Sequence, residues 1–552
     1  MSAPFVSIAT YLPRMAERQP HALAIVCPDG RDRRGRARYT RYTYAQLDAQ
    51  SDVIARGLAT VGIRRGVRTV LMVRPSFDFF ALTFALVKSG AVPIMIDPGI
   101  GLSRLKTCLA EAEPEAFIGV PMAHAARVVL GWGRSTLETH VTVGRRWFWG
   151  GTTLERVKLA GRDATPEPLP DFAPEDLAAV VFTSGSTGAP KAVVYDHGNF
   201  AAQVEMIRDL YDIQPGEIDL PTFPLFALFD PAFGMTTIVP DMDPTRPAQV
   251  DPRKIIEAVE EFGVTNMFAS PALLDTVGRY GVEHGVELPT LRRVISAGAP
   301  VPAAVMERFL GMLDPGARVV TPYGATESLP VASISSDEVL GETRARTDEG
   351  AGVCVGYPVD RVDVSIIGID DGVIECWDDV LRLPPGEVGE IVVKGPAVTR
   401  SYYGRDEATR LAKIPDAEGD GFSHRMGDLG YLDEKGRLWF CGRKSHRVET
   451  AERTYYTVPC EAVFNTHSSV FRTALVGVRQ DGKVRPVLCV ELERDATADD
   501  ALTGELKALG SAHEHTHAID TVLYHPGFPV DIRHNAKIGR EKLAVWAAGR
   551  LG

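Results

Sequence analysis

One stretch constrains this chain more than any other: Val180-Val181-Phe182-Thr183-Ser184-Gly185-Ser186-Thr187-Gly188-Ala189-Pro190-Lys191. A β-branched apolar run leads in, and then the large apolar side chains stop. Thr183, Ser184, Gly185, Ser186, Thr187 and Gly188 are all small, and Ala189, Pro190 and Lys191 close the segment. Small residues let backbone N–H groups approach an anion, hydroxyls add donors, and a lysine supplies a positive point charge. That is the chemistry of a loop wrapping a polyphosphate after a β-strand. It is not a Walker A loop, because Lys191 does not follow Gly188 directly and Ala192 stands where Ser or Thr belongs. The plain alternative is an ordinary Gly/Ser turn, and later stretches weigh against it.

The chain has 552 residues, enough for several compact units and a large core. Its net charge of −12 argues against nucleic acid as a main partner, since phosphate neutralisation needs a basic face. Seven scattered cysteines with no C-x-x-C pair read as reduced thiols of a cytoplasmic protein. The first residues lack a basic region followed by an apolar run, so no secretory signal is expected. Phe79 to Ile96 is broken by Lys88 and closed by Asp97, which rules it out as a transmembrane segment.

Residues 1–120 alternate helical and strand patterns. Thr43-x-x-Gln46 is a capping box, followed by Leu47, Ile54, Leu58 and Val61 at helical spacing. A strand over Val67–Val73, a helix over Phe77–Ser89 and a strand over Val92–Ile96 follow, ended by the turn residues Asp97-Pro98-Gly99. This βαβ rhythm predicts an α/β fold with doubly wound, mostly parallel sheets. Arg145-Arg146-Trp147-Phe148-Trp149 reads first as a strand with a buried aromatic face, and second as a membrane or partner contact.

Two later strand endings run into small or polar residues: Val294 to Pro300, with Gly298-Ala299-Pro300, and Val319 to Glu327, with Tyr323-Gly324-Ala325-Thr326-Glu327. Ligands of open α/β sheets sit outside the carboxyl ends of strands, so both belong in one crevice with the opening loop. Tyr323 offers an aromatic face, Thr326 a hydroxyl for a phosphate, and Glu327 a carboxylate for a divalent ion. Asp428 and Arg443 flank a short hairpin over Leu432–Leu438, where a carboxylate suits the two hydroxyls of a ribose. A new unit of about a hundred residues begins after Lys444 and ends on Asn535-Ala536-Lys537-Ile538-Gly539-Arg540.

These stretches, in this order and over nearly the whole chain, resemble the adenylate-forming superfamily of acyl-CoA synthetases, peptide-synthetase adenylation domains and luciferases. The resemblance implies a large N-terminal domain, 1–442, holding the ATP and acyl sites. It implies a small, mobile α+β lid domain, 443–552, with the hinge at Lys444 or Ser445. It also implies that Thr183–Lys191 wraps the ATP phosphates, that Gly298, Ala299, Pro300, Tyr323 and Gly324 frame adenine, and that Asp428 and Arg443 bind ribose. Thr326 would meet the α-phosphate, Glu327 would hold Mg²⁺, and Lys537 would reach both the substrate carboxylate and the α-phosphate.

The departures from the family pattern point to a branch. Ala192 replaces the usual glycine after the phosphate loop, Met426 stands before Gly427-Asp428, and Ala227 replaces a frequent histidine. Thioester-forming members tend to carry a lysine and a glycine after the hinge. Here the run is Val448-Glu449-Thr450-Ala451-Glu452, whose carboxylates would repel phosphate-bearing CoA. Together with Thr321-Pro322-Tyr323-Gly324-Ala325-Thr326-Glu327-Ser328-Leu329-Pro330 and the ending His534-Asn535-Ala536-Lys537-Ile538-Gly539-Arg540-Glu541-Lys542-Leu543, this makes the chain similar to the β-lactone-forming enzymes of bacterial long-chain olefin biosynthesis. There ATP activates a 2-alkyl-3-hydroxy fatty acid and the acid's own 3-hydroxyl attacks the adenylate, which implies association with other enzymes of that sequence. Phe223 to Met235, with Phe229 and Phe233, and Ala299 are the candidate wall for the acyl chain, with plain core packing as the equal alternative for the aromatic stretch. His424 and His446 are candidate bases by position only, and solvated or hydrogen-bonded loop histidines are the plainer reading.

Three alternatives carry distinct tests. A long-chain fatty acyl-CoA ligase or fatty acyl-AMP ligase needs an external acceptor. A non-catalytic nucleotide-binding scaffold shows no ATP–pyrophosphate exchange. A zinc protease is formally possible because His513-Glu514-His515-Thr516-His517 matches H-E-x-x-H, although a solvated helix face is the simpler account.

Overall fold

The structure, a computed structural model, describes residues 5–96, 100–182, 190–530 and 537–551. Seven strands form the first sheet: β1 (Arg68–Met72), β2 (Val92–Met95), β3 (Ala116–Gly119), β4 (Thr139–Thr142), β5 (Thr152–Thr153), β6 (Leu177–Phe182) and β7 (Ala192–Asp196). In space they run β5-β4-β3-β1-β2-β6-β7, and every neighbouring pair is parallel except β6–β7. Helices α1 (Phe77–Ser89) and α4 (Leu154–Asp163) pack on one face, and α2 (Leu102–Ala112) and α3 (Pro121–Leu130) on the other. Strands covered on both faces have no polar side, which is why β2 and β3 are buried at every position.

Local chemistry sets the helix ends. The backbone N–H of Phe79 donates to Ser76 Oγ at 3.4 Å to start α1, and Gly90 ends it at φ 70°. Any side chain at Gly90 would also crowd Phe172 at 3.1 Å. The Thr43–Gln46 capping box forms, and Leu47, Ile54 and Leu58 of the helix Tyr44–Thr60 are fully buried.

Among the described residues the second sheet has fourteen strands. Its centre is parallel and runs from Leu23–Arg31 through Asn266–Ala269 to β8 (Arg293–Ser296) and β9 (Arg318–Ala325). From β9 the pairing turns antiparallel through β10 (Ser328–Ser335), and a further hairpin joins β11 (Phe422–Leu432) to β12 (Leu438–Arg443). The expected doubly wound arrangement thus holds in the first sheet and in this centre. Beyond β9 every neighbouring pair is antiparallel, starting with the tight β9–β10 turn, although helical segments such as Ser336–Glu338 and Asp406–Ala412 lie in the later connections.

After Lys444 three strands, Val470–Gln480, Lys483–Leu492 and Thr521–Tyr524, carry the helices α5 (Thr457–Phe464), α6 (Asp500–Ser511) and α7 (Arg540–Leu551). This part buries cores of its own. At its centre Glu461 accepts from Arg540 Nη2 at 2.6 and 2.7 Å and from the Leu475 N–H at 2.7 Å.

Two local expectations are corrected. Residues 145–149 form a loop, not a strand: only Trp149 is buried, while Trp147 and Phe148 are exposed. His513 to His517 lies in turns beyond the end of α6, so it forms neither the expected solvated helix face nor the shared helix face that a zinc pair requires. Among the described residues no cluster of three or more His, Cys, Asp or Glu could hold a metal.

Candidate active site

Strand register builds the centre of the site. Asp428 on β11 lies directly opposite Arg443 on β12, and Tyr323 on β9 donates its hydroxyl to Asp428 Oδ2 at 2.7 Å. Arg443 Nη1 stands 2.9 Å from Asp428 Oδ1, but no N–H points along that line, leaving a buried acceptor without a hydrogen bond. Burial pushes the Asp428 carboxyl above its ordinary range, while Arg443 and then Tyr323 oppose the rise. An unsatisfied buried carboxylate oxygen beside a guanidinium is an acceptor that a sugar hydroxyl can fill.

The second element is the turn joining β9 to β10, where Thr326 and Glu327 sit at the tip. Gly324 permits it, since a Cβ there would lie 2.6 Å from the Ser328 carbonyl oxygen. A polar shelf holds the turn from below. Tyr195 Oη donates to the Thr326 carbonyl at 2.5 Å, and Thr399 donates its N–H at 2.9 Å and its hydroxyl at 3.2 Å to the Glu327 carbonyl. Tyr402 Oη donates to Glu327 Oε1 at 2.8 Å. Lys191 Nζ lies 4.6 Å from the Tyr402 ring centroid, which brings the closing lysine of the phosphate segment to Glu327. Arg405 donates to the Pro190 carbonyl at 3.0 Å and to Glu111 at 2.8 Å, anchoring the end of that segment.

Beneath the shelf is Lys413, buried and donating to the Thr399 carbonyl. Burial drives its ammonium down to about 7; Glu327 pulls the other way and Lys191 adds to the fall. His424 is buried beside it, its Nδ1 3.1 Å from the Ala412 carbonyl oxygen, and burial holds it well below its usual value. His424 is thus a buried histidine bonded to the backbone, on a strand and not in a loop. Tyr195, Thr399, Tyr402, Arg405 and Lys413 were not singled out from the sequence. Lys413 in Leu411-Ala412-Lys413-Ile414 looks like any surface lysine, and only the fold brings it under Glu327.

Gly298, at φ 97°, Ala299 and Pro300 leave the carboxyl end of β8, which pairs in parallel with β9 one strand from Tyr323. Gly298 and Pro300 are exposed and Ala299 is half-buried, an open small-residue surface. Lys537 is half-buried, and its charge, the weakest of the named influences, helps hold the Asp428 carboxyl down. Thr183, Ser184, Gly185, Ser186, Thr187 and Gly188 lie outside the described residues, as do Asp97-Pro98-Gly99 and His534-Asn535-Ala536.

Phe233 is packed with Val204, Ile213 and Met235, whereas Phe229 is half-buried with rings of Phe200 and Phe233 each 6.3 Å away. Lys444 donates to the Asp370 carbonyl at 2.8 Å and pairs with Glu390 at 3.1 Å, while Ser445 is exposed. His446 stands 3.3 Å from Glu541, and burial lowers it to about 4. Glu449 is exposed in a two-residue strand paired with Thr454–Tyr455, and Glu452 stands at the turn between them.

An unbonded buried carboxylate oxygen at Asp428, an open small-residue surface at Gly298, Ala299 and Pro300, and lysines near Glu327 are thus brought to the carboxyl ends of neighbouring strands. The chain belongs to the AMP-binding enzyme family, which matches it over residues 12–403. It is 55% identical to the olefin beta-lactone synthetase of Xanthomonas campestris over 548 residues, covering 98% of this chain and 97% of that protein. The olefin beta-lactone synthetase of Stenotrophomonas maltophilia is 53% identical over 550 residues, covering 99% and 98%. The fold is that of the amide bond synthetase McbA from Marinactinospora thermotolerans, with a TM-score of 0.78 at 23% identity over 98% of this chain and 99% of that one. ATP-bound MatB from Rhodopseudomonas palustris also has a TM-score of 0.78, at 21% identity over 99% and 100%.

Proposed function

We propose that this chain is an olefin β-lactone synthetase that activates a long-chain 2-alkyl-3-hydroxy fatty acid with ATP and closes it to a β-lactone. The observation that carries this reading is full-length identity above one half to two enzymes of that activity. It is supported by a centre in which Lys191, Glu327, Asp428, Arg443 and Lys537 converge.

In the first step a carboxylate oxygen of the acid attacks the α-phosphorus, the bond to the β-phosphate oxygen breaks, and pyrophosphate leaves. Thr183 to Gly188 and Lys191 hold the β- and γ-phosphates, Thr326 meets the α-phosphate, and Lys537 bridges it to the carboxylate. Gly298, Ala299, Pro300, Tyr323 and Gly324 frame adenine, while Asp428 and Arg443 take the ribose. A single carboxylate among lysines suits Mg²⁺, which binds through few protein oxygens and the substrate's phosphates; held by Glu327, it would offset phosphate charge. In the second step the 3-hydroxyl oxygen attacks the acyl carbon, its proton departs and AMP leaves. Attack within one molecule has a high effective molarity, which helps offset the strain of the four-membered ring.

Phe229 and Ala299 line the acyl site, with Phe233 backing Phe229. Residues 1–442 form the nucleotide-binding domain and 443–552 a lid that turns about Lys444 and Ser445, excluding water from the acyl-adenylate. The protein works in the cytoplasm and passes its product to other enzymes of the same sequence, with which it should co-purify. No described helix is long and apolar enough to cross a membrane.

A mass-spectrometric assay with ATP, Mg²⁺ and the hydroxy acid tests the reaction. A product one water lighter than the acid, formed without CoA, is expected. A thioester formed only with CoA would replace this reading with an acyl-CoA ligase.

A further inference from the structure

Helix α2 follows β2, α3 follows β3, and the loop 143–151 follows β4; these strands are parallel, so all three connections leave one edge of the first sheet. Helices α2 and α3 also lie on one face of that sheet. Trp149 seats the loop on this face, stacking on His124 of α3 at 5.3 Å and donating its indole N–H to Thr142 Oγ1 at 2.9 Å. The neighbouring rings are left outside, with Trp147 49% and Phe148 72% exposed. Leu102, at the start of α2, is 60% exposed, and Met122 and Val129, one stripe of α3, are 69% and 78% exposed.

The same edge is basic. Arg74, Arg104, Arg145 and Arg146 are exposed and make no ion pair among the described residues. Asp78, the nearby acid after β1, is held by Lys158 at 3.0 Å. Residues 139–151, which hold β4 and the loop after it, contain two arginines and no acid, a local net of +2 in a chain of −12.

We propose that this edge docks on the surface of a bilayer containing anionic phospholipid. Exposed Trp, Phe, Met and Leu side chains enter the headgroup–acyl boundary, and arginines beside them hold lipid phosphates in forked hydrogen bonds. Charge complementarity selects the anionic lipid, because the rest of the molecule is repelled by it. The Phe182 end of β6, which leads into the phosphate segment, leaves the same edge of the sheet. Docking there brings the site to the phase in which a long-chain acid dissolves; this purpose rests on the proposed reaction, whereas the binding itself does not.

Co-sedimentation of the full chain with phosphatidylglycerol–phosphatidylcholine vesicles tests the proposal, with vesicles of phosphatidylcholine alone as control. Binding only to the anionic vesicles, weakened by salt, is expected. Two separate variants, Trp147→Ser with Phe148→Ser and Arg145→Glu with Arg146→Glu, should each lower partitioning about tenfold or more. ATP–pyrophosphate exchange on a dissolved short-chain acid should be unchanged in both. A chain that stays in the supernatant with both vesicle types, or variants that bind like the wild type, overturns the proposal. Concentration-dependent dimerisation abolished by the same variants, without vesicle binding, would assign the edge to a protein contact instead. A failed lactone assay would leave vesicle binding untouched, so the two readings fail separately.

Discussion

The Thr326–Glu327 turn and the segment bearing Lys537 meet at one site but are held in opposite ways. The turn is locked by Tyr195, Thr399 and Tyr402 over a buried lysine, within two sheets that share their cores. Lys537 belongs to a part with its own cores, tied to the rest near the chain crossing by charged contacts: Lys444 to Glu390 and Asp370, and Arg447 to Asp371. The Thr326–Glu327 turn is therefore held in place by the fold itself. Lys537, in contrast, lies in the part that begins after Lys444, whose helix α5 packs on β12 and whose charged contacts near the crossing include the partly exposed pair of Arg447 with Asp371.

The largest effect expected is on chemistry without stability. Lys537→Ala should lower pyrophosphate release about a thousandfold, about 4 kcal/mol of barrier, while the thermal midpoint stays unchanged. A matching loss of stability would show that the segment is part of the fold and not a delivered group. Next comes the tether. Arg425 and Glu390 are both buried and pair at 2.6 Å, so Glu390→Ala strands a buried guanidinium and frees Lys444. It should cost about 3–5 kcal/mol in urea unfolding. An unfolding curve that remains a single step would show the two parts to be coupled more tightly than their contacts indicate.

Lys413 gives a pH-dependent version of the comparison. Its pKa falls from 10.5 to about 7 in the folded chain, so between those values the unfolded chain holds the extra proton. Burial of this lysine therefore costs stability fully below about pH 7, and the cost fades as pH rises towards 10.5. Relative to Lys413→Met, the wild type should gain about 2–4 kcal/mol from pH 6.5 to pH 10, read by urea titration at each pH. A constant difference across that range would mean the lysine is charged in the fold.

Smaller effects follow. Tyr402→Phe removes one hydrogen bond to Glu327 and should lower kcat about tenfold while raising the Mg²⁺ needed for half-maximal rate. An unchanged Mg²⁺ requirement would detach Tyr402 from the carboxylate's role. Arg447→Ala breaks a pair whose Asp371 partner is largely exposed, and should cost under about 1 kcal/mol. A large loss there would make the charged tether as rigid as the turn.

The sequence by itself determined the periodic and the punctuated parts. The helix Phe77–Ser89, the Thr43 capping box, the parallel first sheet and the hairpin between Asp428 and Arg443 were all legible, because each depends on neighbours a few residues apart. Tyr323, Thr326, Glu327, Asp428 and Arg443 stood out because small or polar residues at strand ends interrupt apolar runs. Only the tertiary structure decided that Asp428 Oδ1 is left without a hydrogen bond, that Lys413 lies beneath Glu327, and that Trp147 and Phe148 face outward while Trp149 is buried. The physical reason is the same in each case. Burial and pairing are set by residues far apart in the chain, and Thr399, Tyr402 and Lys413 reach Glu327 only after the strands between them have taken their register.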